Sequence, residues 1–309
     1  MKKSFIVAAV LCMTGGLYAQ EFESLGMKAA ALKDMPAAEG IAMPDASKSY
    51  IDPSIPVKPI EWVTITGGRF TMGYTGKVPE NIWDRDSVTS AIPAVPVELK
   101  TFEMSKTAVT VAQYAQCVAQ GACTTPVPRK GLFGGTSDKC NWRQEGREDH
   151  PINCITFFQA KSYAQFVGAK LPNEAQWEYA AKSRGKDIKY PWGNDYDSDK
   201  LVLHGGHTQP VCSKPLGNTE QGLCDIAGNV AQWTRDEWTG GHLKSDGISD
   251  DGRPQGYYHN TLPNLVLVRG VSFGGCPYRG GHRCVANVSR QQVYSDGAQP
   301  YVGIRLVRE

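Results

Sequence analysis

The texture of the chain changes at Glu61. Upstream, residues 20–59 mix Ala, Met, Pro and Asp with few aromatic or β-branched side chains, and so supply nothing for a core. ESLGMKAAALKDM offers a helical turn or two, and the whole stretch reads as a flexible N-terminal tether. Downstream, Trp62, Val63 and Ile65 head a strand, and Gly67-Gly68 turn it into a second strand carrying Phe70 and Met72. Residues 97–104 predict one further strand. Thr110 caps a helix with Val111, Tyr114, Ala115 and Val118 at helical spacing. A second helix runs from Phe157 with Ala160, Ala164 and Val167 on one face, and stops at Gly168. A third begins at Asn173, where Asn173 and Gln176 form a capping-box pattern ahead of Trp177, Tyr179 and Ala180. Beyond Arg184 helical spacing fades, Tyr190-Pro191-Trp192-Gly193-Asn194 makes a tight turn, and Gly, Pro, Asn and aromatic residues dominate. The expectation is a loop-rich α+β domain over residues 60–309, without internal repeats.

The first nineteen residues belong to a different class. Lys2 and Lys3 precede an apolar run over 5–13, and Ala19 stands where a cleavage site falls, which is the layout of a signal peptide. The run is too short for a stable membrane anchor, and no later stretch has transmembrane length. Removing Lys2 and Lys3 from 33 basic residues leaves them equal in number to the 31 acidic ones. A net charge near zero gives no general attraction to nucleic acid. Of nine cysteines, Cys12 lies in the leader. The remaining eight form sequence-local couples: Cys117 with Cys123, Cys140 with Cys154, Cys212 with Cys224, and Cys276 with Cys284. An even set in an exported protein, periplasmic or extracellular, reads first as disulfides, with the connectivity open.

A series of motifs in order carries a family likeness: GGRFTMG (67–73), KTAVTVAQY (106–114), HPINCITFFQAKSYAQF (150–166), KLPNEAQWEYAAK (170–182), YPWGN (190–194), GLCDIAGNVAQW (222–233), LVRGVSF (267–273) and VGIRLV (302–307). Together they resemble the formylglycine-generating enzyme (sulfatase-modifying factor) family over roughly residues 61–309. The resemblance implies a variant of the C-type lectin fold. It also implies, for active members, an oxygen-dependent oxidation of a sulfatase cysteine by a cysteine pair that binds copper(I). Soft thiolates suit that ion. In GVSFGGCPYRGGHRC (270–284) the register of the pair fails. Its first position falls on Gly275, one before Cys276, and its second on Arg279 when counted back from Cys284. Ser272 matches an active-site serine of the family, and equally suits a turn hydrogen bond. The family's calcium ligands match at Asp225, Gly228, Val230 and Gln232. Gln232 replaces a Glu whose carboxylate is a calcium ligand in the family, so calcium, as a candidate cofactor, is expected to bind more weakly, and Ala231 replaces a Trp that helps shape the family's substrate groove. A second family calcium site meets Leu201-Val202-Leu203 and is expected to be lost.

Smaller signals are weaker. His204 and His207 make half a metal site at most, and the acidic loop over 245–252 reads as surface. Trp62, Trp177, Trp192 and Trp233 fall inside family motifs and are expected to be core. Tyr278, Arg279, His282, Arg283, Tyr294 and Tyr301, with Tyr257 and Tyr258, combine aromatic and Arg residues of the kind favoured at binding surfaces. Two functions remain open. One is an exported ligand-binding or scaffold module that takes a protein, peptide or glycan. The other is an oxygen-dependent oxidoreductase using Cys276, Cys284 and Ser272, with copper as its metal.

Overall fold

The computed structural model describes residues 58–77, 88–126, 137–238, 264–275 and 285–309. They fall in one compact unit, Lys48–Glu309. The leader, nearly all of the tether, the acidic loop and the segment holding Cys276 and Cys284 lie outside the described residues.

The three α-helices of the described residues start on one local device. Helices α1 (Val111–Ala119), α2 (Phe157–Phe166) and α3 (Glu174–Ala181) are capped by Thr110, Thr156 and Asn173. In each, the cap side chain accepts the N–H of a Gln at the third helical position, and that Gln side chain reaches back to the cap's own N–H. Such a reciprocal pair satisfies two orphan donors at once. The pattern is written three times in the sequence, as TVAQ, TFFQ and NEAQ, although the third alone had been expected to form it.

Two strand expectations need correction. Strands β1 (Trp62–Ile65) and β2 (Gly68–Met72) do not form a hairpin. They belong to different sheets, β1 pairing with β4 and β2 with β3. Gly67 lies so close to the 99–101 backbone that no side chain fits, and its N–H donates to Thr101 Oγ1 at 3.0 Å. This glycine pair therefore passes the chain between sheets. Residues 97–104 are likewise two strands, β3 (Val95–Leu99) and β4 (Phe102–Ser105). Burial falls on the odd positions Val95, Val97 and Leu99 of β3 and then on the even positions Phe102 and Met104 of β4, whose last residue, Ser105, is buried as well. That parity switch requires a break at Lys100-Thr101, because side chains alternate along a single strand.

β5 (Ala231–Glu237), β6 (Leu265–Arg269), β7 (Arg290–Tyr294) and β8 (Val302–Gly303) form a four-stranded sheet in the order β7-β6-β5-β8. Only the β5–β8 pair is parallel. A three-stranded sheet runs β1-β4-β9, where β9 is Val307–Arg308. One face of the larger sheet is apolar. Ala231, Trp233, Val266, Val268, Val293 and Val302 pack there with Tyr114, Ala160, Tyr163 and Ala164 from α1 and α2. Helix α3 covers the other face and also packs on β2, β3 and β4 through Ala175, Trp177, Tyr179 and Ala180.

Disulfides join Cys117 to Cys123, Cys140 to Cys154 and Cys212 to Cys224, each between sequence neighbours. No helix among the described residues is long and apolar enough to cross a membrane.

Candidate functional site

The predicted ligand face begins where β6 ends. Gly270 adopts a positive φ of 83°, and a Cβ there would lie 2.9 Å from Ile226 O and 3.2 Å from the Trp177 ring. Only glycine passes that point, and the chain then turns over 272–275. Ser272 is fully buried: its hydroxyl donates to Gly275 O at 2.8 Å and accepts the Gly274 N–H at 3.3 Å. Tyr301 packs against the same turn, its ring 5.4 Å from Phe273 and close over Gly274, with Lys139 Nζ 6.0 Å from its centroid.

Tyr294 is elsewhere. It pairs with Leu265 at the opposite end of β6, four residues before Arg269. At about 3.3 Å per residue, that separates it from the turn by roughly 13 Å. The structure thus brings Ser272 and Tyr301 together and leaves Tyr294, 58% exposed, apart. Cys276, Tyr278, Arg279, His282, Arg283 and Cys284, like Tyr257 and Tyr258, lie outside the described residues. Their flanks, Val271 and Val285, share a cluster with Tyr190, Leu201 and Ala227, against which Trp192 and Leu203 pack. Tyr190 and Trp192 are stacked at 5.4 Å. Trp177 and Trp233 are fully buried, whereas Trp62 and Trp192 are half-buried. His204 and His207 are exposed, and His207 Nδ1 lies 3.4 Å from Arg147 Nη2. No group of three or more His, Cys, Asp or Glu among the described residues could hold a metal.

Under α3 lies a feature that sequence reasoning missed. Glu174, Glu178 and Lys182 recur every four residues on one face, and the helix is buried along its whole length. Opposite them, Gln232, Arg269 and Arg290 stand in register across β5, β6 and β7. Arg269 donates to Glu174 Oε1 at 2.6 Å and Glu178 Oε2 at 2.7 Å, while Arg290 donates to both oxygens of Glu174 at 2.5 and 3.1 Å. Lys182 Nζ is 2.8 Å from Glu178 Oε1, which also accepts the Gly73 N–H at 2.7 Å. Asp236 accepts the Glu174 N–H at 2.6 Å. Lys182, Arg269 and Arg290 thus meet the carboxylates of Glu174 and Glu178, while the Asp236 carboxylate takes up the first N–H of the helix. Burial alone would raise the Glu178 pKa, but Lys182 and Arg269 outweigh it and hold the carboxyl below its ordinary value. The readable signal was a charge every fourth residue in α3, together with an Arg closing the apolar run of β6.

The row continues into the residues matched to the family's calcium ligands. Gln232, fully buried, accepts from Trp177 Nε1 at 2.7 Å and Arg305 Nε at 2.8 Å through Oε1. Its Nε2 donates to the main-chain oxygen of Asp225 at 3.0 Å. The Asp225 carboxylate accepts the Cys212 N–H at 2.8 Å and Asn229 Nδ2 at 3.5 Å. Burial pushes the Asp225 carboxyl up, countered in part by the Cys212 N–H, Arg305 and Asn229. Arg305, also fully buried, donates to Ser105 O at 2.6 Å, Lys106 O at 3.0 Å and Cys224 O at 2.5 Å. Burial lowers its pKa to about 10, and Asp225 acts to restore it. Gly228 has a φ of 92°, and a Cβ there would stand 2.7 Å from Val202 N. The donor set is a poor match for a cation: N–H groups occupy the side-chain oxygen of Gln232, the main-chain oxygen of Asp225 and one carboxylate oxygen, Asp225 Oδ2, and a guanidinium donates to the Gln232 oxygen.

The sulfatase-modifying factor enzyme 1-like domain matches residues 52–309. Formylglycine-generating enzyme of Bos taurus is 27% identical over 252 residues, covering 65% of this chain and 64% of that protein. Hercynine oxygenase of Mycolicibacterium smegmatis is 28% identical over 195 residues, covering 56% and 44%. Serine/threonine-protein kinase Pkn1 of Chlamydia trachomatis is 36% identical over 118 residues, covering 37% and 19%. The chain therefore spans less than two thirds of each of these relatives. Among solved structures, PvdO from Pseudomonas aeruginosa aligns with a TM-score of 0.59 at 22% identity, over 80% of this chain and 94% of that one. Treponema denticola variable protein 1 aligns with a TM-score of 0.56 at 19% identity, over the same shares of 80% and 94%. These likenesses agree with the loop-rich α+β fold.

Proposed function

Because the chain belongs to the sulfatase-modifying factor enzyme family, we propose that it is an exported ligand-binding or scaffold member of it, retaining the fold without the family's copper chemistry. The observation that carries this reading is Ser272. Its hydroxyl is fully buried and committed on both sides to the turn over 272–275, where a reacting serine needs an open face. Arg279, where the resemblance places the second copper cysteine, supports the same reading. The ligand is an exported protein, peptide or glycan, met at the rim formed by this turn and Tyr301. Three disulfides suit an oxidising compartment outside the cytoplasm.

The similarity to formylglycine-generating enzyme and hercynine oxygenase favours a second reading, an oxygen-dependent oxidoreductase with copper at Cys276 and Cys284. A thiol count separates the two. Protein exported to a periplasm is alkylated with and without mild reductant, weighed intact, and titrated with copper(I). The binding-module reading expects Cys276 and Cys284 to resist mild reductant like the other pairs, with no copper taken up. Selective opening of that pair with tight uptake of one copper per chain overturns it in favour of the oxidoreductase.

A further inference from the structure

We infer that the Asp225–Gln232 node is a metal-free cross-link, in which the Gln232 amide and the Arg305 guanidinium make the connections that a calcium ion would otherwise make between the same segments. The orientation of the amide is fixed by its surroundings. Its oxygen faces two N–H donors, Trp177 Nε1 and Arg305 Nε, and its nitrogen faces a carbonyl. Flipping the amide would set its N–H₂ group against two donors and its oxygen against an acceptor, losing all three hydrogen bonds.

Calcium binds through six to eight oxygens and draws its affinity from carboxylate charge. Here Asp225 is the one carboxylate among the four matched residues, and one of its oxygens already accepts the Cys212 N–H and Asn229 Nδ2. A divalent ion reaching for Gln232 Oε1 would have to compete with Trp177 Nε1 and Arg305 Nε for that single neutral oxygen, beside a guanidinium that also holds Ser105 O, Lys106 O and Cys224 O. Five donors already connect the end of β4, the 224–232 loop, β5, α3 and the C-terminal segment. The inference holds whether or not the protein is an enzyme, because it concerns how these segments are fastened.

The test uses the full exported chain and two probes. Melting curves are recorded in chelator and with calcium titrated through the millimolar range. Terbium luminescence is read by energy transfer from Trp177, whose indole touches the node. The wild type is expected to melt at one temperature in chelator and calcium, and to give no saturable terbium signal. Gln232→Glu replaces the N–H facing Asp225 O by an oxygen and adds charge. Its midpoint is expected to fall below wild type in chelator and recover as calcium is added, with a saturable terbium signal. A wild-type midpoint that drops in chelator and returns with calcium, together with terbium binding, overturns the inference. So does a folded Gln232→Glu protein that ignores both ions, because the amide would then not be what excludes them. Should that variant fail to fold under any condition, the wild-type terbium titration decides alone.

Discussion

The two faces of the β7-β6-β5-β8 sheet solve burial in opposite ways. The face toward α1 and α2 carries Ala231, Trp233, Val266, Val268 and Val293, where stability follows from apolar area removed from water and depends little on which neighbour supplies the contact. The face toward α3 carries Gln232, Arg269 and Arg290, each fixed by named partners at hydrogen-bond distance. Desolvating these charges is expensive, and pairing only offsets the cost. What the charged face gains is register. A one-residue slip of β6 would bury Arg269 in an apolar cluster and leave Glu174 and Glu178 against Val268. The lesson is that the apolar face makes the domain fold, and the charged face restricts it to one arrangement.

The largest effect is expected where a partner is removed from the charged face. Glu178→Ala leaves Lys182 and one arm of Arg269 buried without a carboxylate, and should cost about 3–5 kcal/mol by chemical denaturation. If it costs no more than an ordinary surface change, the two faces do not differ as argued. A sharper version is a double-mutant cycle. Glu178→Ala and Arg269→Ala should be coupled by about 0.5–3 kcal/mol, because each already removes the other's partner. Glu178→Ala with Ile304→Val, across the sheet in the apolar cluster, should be additive within about 0.5 kcal/mol. Ile304→Val alone should cost only about 0.5–1.5 kcal/mol, in proportion to the methyl group deleted.

The same contrast decides what could be read from the sequence. Apolar spacing placed α1 and α2, because their exposed and buried positions alternate at the helical period, and the Asn173–Gln176 capping pattern placed α3. What neither signal could show is the charged face of α3, where all eight residues are buried and the partners lie far along the chain. Glu174 meets Arg290 across 116 residues and Gln232 meets Arg305 across 73, separations that no local pattern encodes. The β1–β2 hairpin was misread for a related reason. Gly67-Gly68 has turn chemistry, but the close approach that demands glycine comes from residues 99–101. The capping boxes of α1 and α2 were readable and overlooked. Thr156→Ala, which breaks the second of them, should cost about 1 kcal/mol in thermal or urea unfolding, with Thr156→Ser nearly neutral. Of the site, the family motifs led to Ser272 and Gln232, yet their roles follow from hydrogen bonds visible only in three dimensions.

His150 offers the smallest and most specific test, because it shows burial acting on a group without an opposing charge in contact. In Glu178, burial is overcome by cations and the carboxyl stays ionised. In His150, burial comes first and Arg147 adds to it, while Asp149 and Glu148 pull the other way. The net result is a pKa below the ordinary 6.5. Its Nδ1 lies 2.8 Å from Thr208 Oγ1, beside the buried Asn141. A depressed histidine binds its proton more readily once the chain unfolds. Its contribution to stability is therefore complete above 6.5 and declines as pH falls from there through the folded value. Glu178 also loses stability on acidification, but only below the ordinary carboxylate value of 4.5. Unfolding midpoints measured from pH 8 to 5 should thus show a modest decline that His150→Asn removes while leaving the steeper loss at lower pH. If the His150→Asn protein keeps the upper decline unchanged, burial at this position is not what sets the proton affinity, and the contrast with Glu178 fails.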